Sequence, residues 1–154
     1  MATDFREVAQ SWLDGDFDPE TKSKIIELRN SDPAGFEDAF YRNLEFGTGG
    51  LRGIMGVGTN RINKYTLGAA TQGLANYLKI QFPAKEKSVA IAYDVRHNSD
   101  KFARIVANIL TANGIKVYLY ESFRPTPELS FTVRHLGCDA GIVLTASHNP
   151  PEYN

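Results

Sequence analysis

From Ser88 onward the apolar pattern changes period again and again, and that alternation constrains the fold more than any other feature of the chain. SVAIAYD (88–94) is a short apolar run suited to a buried strand, and IKVYLY (115–120) and AGIVLT (140–145) are two more. Between the first two, Phe102, Ile105, Val106, Ile109 and Leu110 mark a helix stopped by Asn113-Gly114. Between the second and third, Leu129, Val133 and Leu136 lie on one face of an element that Thr126-Pro127 caps and Gly137 ends. Strand, helix, strand, helix, strand at a spacing of roughly 25 residues is a pair of βαβ units, which predicts a largely parallel sheet with right-handed crossovers. In open sheets of this kind ligands gather at the carboxyl ends of the strands. The polar clusters Asp94–Asp100, Glu121–Thr126 and Thr145–Asn154 all fall there.

The residues before this region read differently. Phe5, Val8, Ala9 and Trp12 recur at helical spacing. Asp18-Pro19 and Asp32-Pro33 each read as an N-cap followed by proline at the first helical position, where the missing N–H costs nothing. Phe36, Ala39 and Phe40 again share a face, and such stripes are how a surface helix docks on a core. FGTGGLRGIMGVG (46–58) is too rich in glycine for a helix interior. A longer helix follows, with Leu67, Ala70, Leu74, Tyr77 and Leu78 on one face and an end near Pro83. The fold class is therefore α/β: a mostly parallel mixed sheet flanked by helices, with an N-terminal helical extension over residues 1–44 and the α/β domain over 45–154.

Composition narrows the function. At 154 residues and 42% hydrophobic the chain is long enough for one substantial core. A formal net charge of −1 argues against a large basic surface for nucleic acid or anionic lipid. Cys138 is the single cysteine, so no intrachain disulfide forms, and its place before an apolar strand reads as a small buried hydrophobe. MATDFREVAQSW has neither the basic nor the apolar region of a secretory signal, and no apolar stretch approaches the ~20 residues that span a bilayer. The expectation is a cytoplasmic protein with no membrane or nucleic-acid partner.

Two polar segments carry candidate chemistry. In TASHNPP (145–151), Pro150 and Pro151 restrict the residues before them, so Ser147 sits on a stiff, non-helical loop just beyond a strand. A stiff loop suits an oxygen that must be positioned for transfer. His148 exchanges protons near neutral pH, although neighbours in sequence need not face each other. The same loop also reads as a polar turn whose Ser, His and Asn satisfy backbone groups. A serine-hydrolase elbow needs G-x-S-x-G, which Ser147 lacks, and an Asp/Glu–His partner is not identifiable. EFGTGGLRGIMG (45–56) matches neither the Walker nor the G-x-G-x-x-G pattern. It offers backbone N–H groups and the Arg52 guanidinium to an anion, or else only tight turns and an ordinary salt bridge. Arg96 and His97 add cationic groups at the same predicted edge, and Asp94 is placed to orient Arg96 or to cap the helix that follows. His97, His135 and His148 lack zinc-ligand spacing, and no carboxylates group closely enough to hold magnesium unaided.

With these residues in hand, TASHNPPEYN (145–154) resembles the phosphoserine loop of the α-D-phosphohexomutases, the phosphoglucomutase/phosphomannomutase superfamily. FGTGGLRGIMGVGTNRINKYT (46–66) resembles that superfamily's N-terminal loop, and the helical extension is similar to that of its phosphopentomutase-like branch. The resemblance runs from Phe46 to Asn154 in the family's order of elements. It implies a four-domain enzyme in which a phosphoserine gives its phosphoryl group to a sugar phosphate, the bisphosphate reorients, and the other phosphate returns to serine. Ser147 is then the phosphoserine, whose phosphate also ligates Mg²⁺. His148 helps proton transfer or positioning, Arg52 and Thr48 lie near the transferred phosphate, and Arg96 and Asn149 bind phosphate. A glucose 1,6-bisphosphate-type activator and a sugar phosphate substrate are implied. The family's aspartate-rich metal loop, sugar-specificity loop and distal phosphate-binding domain are not among these residues. The chain is therefore expected to be the first domain, inactive alone, with the C-terminal domains of the same enzyme as its partners. The alternative is a non-catalytic sugar-phosphate- or protein-binding module that uses the same loops.

Overall fold

The computed structural model describes residues 4–47 and 50–154. The described residues fall into two compact units, one reaching Thr66 with Tyr153 added, the other running from Leu67 to Glu152 with Asn154.

In the first unit three helices follow in succession: α1 (Phe5–Asp14), α2 (Pro19–Ser31) and α3 (Pro33–Phe40). Their starts are written into the sequence. Asp4 accepts the Arg6 N–H, Asp18 the Thr21 N–H and Asp32 the Gly35 N–H, each satisfying an N–H that the helix itself cannot. The buried faces converge on Ala9, Trp12, Ile25, Phe36, Ala39 and Phe40, with Phe17 and Tyr65 packed against them. Trp12 stacks on Phe17 at 4.3 Å between ring centroids. The glycine-rich segment forms a short antiparallel pair, β1 (Phe46–Gly47) and β2 (Gly50–Leu51), with Phe46 opposite Leu51. Beyond it the loop is fastened to α3: Asn60 N–H donates to Ala39 O at 2.9 Å and Arg61 pairs with Asp38 at 2.7 Å. Gly58 permits this approach, because at φ +120° it lies where a Cβ would come within 2.4 Å of the Ala39 carbonyl oxygen. Asn63 then accepts the Tyr65 and Thr66 N–H groups at 3.0 Å and so starts α4 (Lys64–Gln81).

The second unit contains the rest of α4, then β3 (Ser88–Tyr93), α5 (Ser99–Ala112), β4 (Lys116–Leu119), α6 (Thr126–Leu136) and β5 (Ala140–Leu144). The three strands form one sheet in the order β4-β3-β5, with both pairings parallel. The expected α/β class is observed, and the antiparallel pairing among the described residues lies in the β1-β2 pair and in an isolated bridge between Ile54 and Tyr153. The first connection steps one way along the sheet and the second steps back over it. Right-handed crossovers therefore put α5 and α6 on opposite faces. Ala90 and Ala92 meet Leu129 of α6, with Tyr118, Val133, the half-buried Cys138 and Val143 around them. α5 buries Phe102, Ala103, Val106, Ala107 and Leu110, continuing the stripe read from the sequence. Gly141 lets α6 come close, since a Cβ there would lie 2.6 Å from Val133 Cγ2.

Two helices differ from expectation. α4 buries Leu78 of the expected stripe and half-buries Leu67, Ala70 and Leu74, but Tyr77 is 57% exposed and Thr71 and Ala75 are buried instead, so the inner face is shifted from the one expected. Small side chains allow this, and the Thr71 hydroxyl is satisfied by Leu67 O at 2.7 Å. In α6 Thr126 is helical rather than the cap; Pro125 holds that position and makes no side-chain cap. Leu136 sits in the last turn before Gly137, which adopts the left-handed C-cap conformation at φ +63°, and it is 43% exposed instead of facing the sheet.

Candidate functional site

Tyr93 and Leu144, the last residues of β3 and β5, are register partners, so the loops after these strands leave side by side. Asp94 N–H extends the ladder by donating to Leu144 O at 3.1 Å. The loop after β5 then turns sharply. Ala146 is fully buried and anchors it, while Ser147 and His148 are exposed at its tip. Ser147 N–H donates to Thr145 Oγ1 at 2.9 Å, and Asn149 N–H to Ala146 O at 3.0 Å. Ser147 has φ +54°, a left-handed conformation that residues bearing a Cβ seldom adopt. Strain of this kind clusters at functional sites. The serine oxygen is thus presented to solvent by a turn closed beneath it.

The adjacent His148 does face the serine: Ser147 Oγ and His148 Nδ1 are 3.4 Å apart. That is looser than the ~2.6–3.2 Å of a working proton transfer, a common state of catalytic pairs before substrate binds. Among the described residues no carboxylate hydrogen-bonds His148, so the orienting third member of a hydrolase triad is not supplied here.

The loop after β3 reaches across to this turn. Arg96 Nη2–H donates to Ser147 O at 2.6 Å, and its Nη1–H donates to Pro150 O at 3.2 Å. Asp94 Oδ1 accepts both the Arg96 N–H, at 2.9 Å, and the Ser99 hydroxyl, at 3.0 Å. Asp94 therefore both orients the Arg96 backbone and anchors the first residue of α5. The N-cap position itself belongs to Asn98, at φ +63° and without a side-chain cap bond. Ser99 is fully buried and accepts Asn154 Nδ2–H at 2.9 Å; Asn154 also donates to His97 O at 3.1 Å.

The structure brings Ser147, His148, Asn149 and Arg96 together on one pair of loops. His97 contributes its carbonyl, and its ring is not used in these contacts. Arg52 follows β2 in the first unit, with an exposed side chain that makes contacts of its own. Thr48 lies outside the described residues. Beside the loops, Tyr93, Asp100, Arg104, Leu119, Tyr120 and Glu121 line a cleft of about 230 Å³ at the ends of β3 and β4. Sequence reasoning missed Ser99, Asn154 and Thr145, whose signal is only that polar side chains lie at strand ends.

Among the described residues no three His, Cys, Asp or Glu side chains gather into a metal site. What the loop could give a hard cation is phosphate oxygen, were Ser147 phosphorylated. These residues therefore fit one ligand of such an ion rather than its whole shell. No helix among the described residues is long and apolar enough to cross a membrane.

Comparison with known proteins agrees with this geometry. Residues 43–154 match the family model for phosphoglucomutase/phosphomannomutase, alpha/beta/alpha domain I. The chain is 50% identical over 118 residues to a phosphoglucomutase of Staphylococcus haemolyticus, a match covering 77% of this chain and 21% of the relative. It is 49% identical over 117 residues to a phosphoglucomutase of Staphylococcus aureus, covering 76% and 21%. A solved chain from Thermus thermophilus assigned as a phosphomannomutase superposes with a TM-score of 0.65 at 37% identity, covering 73% of this chain and 24% of that one. The chain thus spans 21% of the length of the curated relatives it matches.

Proposed function

The chain belongs to the phosphoglucomutase/phosphomannomutase family through its domain I, and from that premise we propose that Ser147 is the residue that carries the phosphoryl group. The observation that carries this reading is the presentation of Ser147: exposed, left-handed, and held at the end of a parallel strand beside an imidazole and a guanidinium. In the proposed cycle a hydroxyl oxygen of a sugar 1-phosphate bonds to the phosphorus of phosphoserine as the bond to Ser147 Oγ breaks. The sugar becomes a bisphosphate and the hydroxyl proton passes to a nearby base. The bisphosphate reorients, and Ser147 Oγ, freed in the first step, bonds to the phosphorus of the other phosphate as the bond from that phosphorus to the sugar oxygen breaks, the proton held by the base passing to the sugar oxygen. The net change converts a sugar 1-phosphate to a 6-phosphate or the reverse.

Each residue has a part that its chemistry suits. Phosphoryl transfer depends mainly on alignment and on cancelling charge over the equatorial oxygens. His148 is the neighbour that holds or moves a proton at Ser147 Oγ. Arg52 is read as a catalytic cation, and Thr48 and Asn149 as phosphate ligands; Arg96 brings positive charge to the same loop. Mg²⁺ bound to the serine phosphate would supply further neutralisation of charge, and Ser147, through that phosphate, is the group of this chain that would hold it. A hexose 1,6-bisphosphate is the activator that would load the serine.

Residues 1–44 form the helical extension in this reading and residues 45–154 the family domain. The family match from residue 43 supports that division, whereas packing groups residues up to Thr66 with the helices of the extension. Turnover is proposed for the longer enzyme and not for this domain alone. Its C-terminal domains would supply the remaining metal ligands and the sugar contacts. In that enzyme Ser147→Ala should abolish conversion of glucose 1-phosphate in the presence of Mg²⁺ and bisphosphate. Turnover at the wild-type rate in the Ala variant would show that another group carries the phosphate.

A further inference from the structure

We infer that Arg96 is a positioning residue for Ser147, gripping the serine-bearing turn by its own backbone carbonyls, and that Asp94, Ser99 and Asn154 keep Arg96 in place. Its catalytic consequence rests on Ser147 being the phosphoryl carrier; the grip itself does not.

Ser147 occupies a backbone region that needs support, at φ +54°. Its N–H is held by Thr145 Oγ1 at 2.9 Å and its carbonyl by Arg96 Nη2 at 2.6 Å. Arg96 Nη1 donates to Pro150 O at 3.2 Å, so one planar guanidinium joins the tip of the turn, at Ser147, to the residue just beyond it. Arginine suits the task because its donors lie in a fixed fork; a lysine ammonium is a point donor on a flexible stem. Both Nη atoms are directed at main-chain carbonyls, the geometry of a clamp rather than of a fork aimed at a phosphate.

The clamp has a foundation. Asp94 Oδ1 fixes the Arg96 N–H at 2.9 Å and receives the Ser99 hydroxyl at 3.0 Å. Ser99 is 0% exposed and Asn154 5% exposed, and the bond between them, 2.9 Å long, joins residues far apart in sequence. Buried polar groups that satisfy one another define a rigid arrangement. The chain Asn154–Ser99–Asp94–Arg96 therefore ties the segment beyond Pro150-Pro151 to the loop after β3, and that loop to the serine turn. Small displacements of a transferring oxygen are costly to the rate, so support this far from the phosphate still matters.

Two variants separate clamp from ligand. Arg96→Lys keeps the charge and loses the fork, and Ser99→Ala removes one buried hydroxyl without touching any group near the phosphate. Two readouts are taken in the full chain. Hydrogen exchange at the Ser147 and Asn149 amides is measured in unphosphorylated protein without ligand. Phosphoryl transfer from glucose 1,6-bisphosphate to Ser147 is measured over a range of donor concentrations. The clamp predicts faster exchange in both variants. It also predicts a maximal transfer rate lower by about tenfold or more, with the half-saturating donor concentration changed by less than about twofold. Unchanged exchange in both variants overturns the inference. So does a raised half-saturating concentration with the maximal rate kept, the mark of a phosphate ligand. If wild-type Ser147 accepts no phosphate, the proposed function fails, and the exchange measurement alone decides the clamp.

Discussion

Ser147 offers a stability experiment that reads its backbone directly. Ser147→Ala and Ser147→Gly both remove Oγ and its 3.4 Å contact with His148 Nδ1, so they differ only in the Cβ. At φ +54° a Cβ-bearing residue carries a left-handed penalty of about 1–2 kcal/mol that glycine escapes. Glycine gives back about 0.5–1 kcal/mol through the freedom it loses on folding. The balance favours Gly over Ala by about 0.75 kcal/mol at mid-range and by about 1.5 kcal/mol at most, the latter about 3–6 °C in Tm for a chain of this size. Matched urea and thermal denaturation of the two variants measure it. An Ala variant more stable than the Gly variant would show that Ser147 is not held in the left-handed region, and the strained presentation of its oxygen would go with it.

Other positions test the frame around the site. Gly58→Ala places a Cβ 2.4 Å from the Ala39 carbonyl oxygen at φ +120°, and it should destabilise by at least about 2 kcal/mol, read as a lower urea midpoint. Asp18 is hydrogen-bonded to Lys64, Thr21 and Tyr65, with Lys64 the strongest influence, and these partners hold its carboxyl far below the usual carboxylate range. A carboxyl so lowered contributes stability above its unfolded pKa of about 3.9 and loses it progressively as pH falls below that value. The Tm advantage of wild type over Asp18→Asn should therefore shrink below about pH 4; an advantage independent of pH would refute the assignment.

Much of this architecture is legible because its signals are local. Asp18 and Asp32 cap the helices that follow because a carboxylate before proline can do little else for the first turn. The change of period at Ser88 and again at Phe102 reports two elements whose buried sides are lined by their own residues. The face of α4 was legible only in part. Apolar counting finds Leu78 and the half-buried Leu67, Ala70 and Leu74, but it selects Tyr77 where packing uses Ala75 and a Thr71 hydroxyl satisfied within the helix. Hydropathy cannot see that a small or internally bonded residue is good at a close contact.

The site divides in the same way. The stiffness of the loop around Ser147 follows from Pro150 and Pro151, and the approach of Arg96 follows from parallel strands that end together. The left-handed turn at Ser147 has no local cue, because serine is not a residue that prefers it. Ser99 and Asn154 look like ordinary polar residues until folding brings them to 2.9 Å, a contact that no pattern within a helix or strand encodes.

The most direct test of the account is the covalent state of Ser147 in protein taken from its native host, or after exposure to glucose 1,6-bisphosphate. Peptide mass mapping should place one phosphoryl group on Ser147, lost in Ser147→Ala and discharged when glucose 1-phosphate is added to the full enzyme. A wild-type Ser147 that stays unmodified while the full enzyme interconverts sugar phosphates would contradict the central claim.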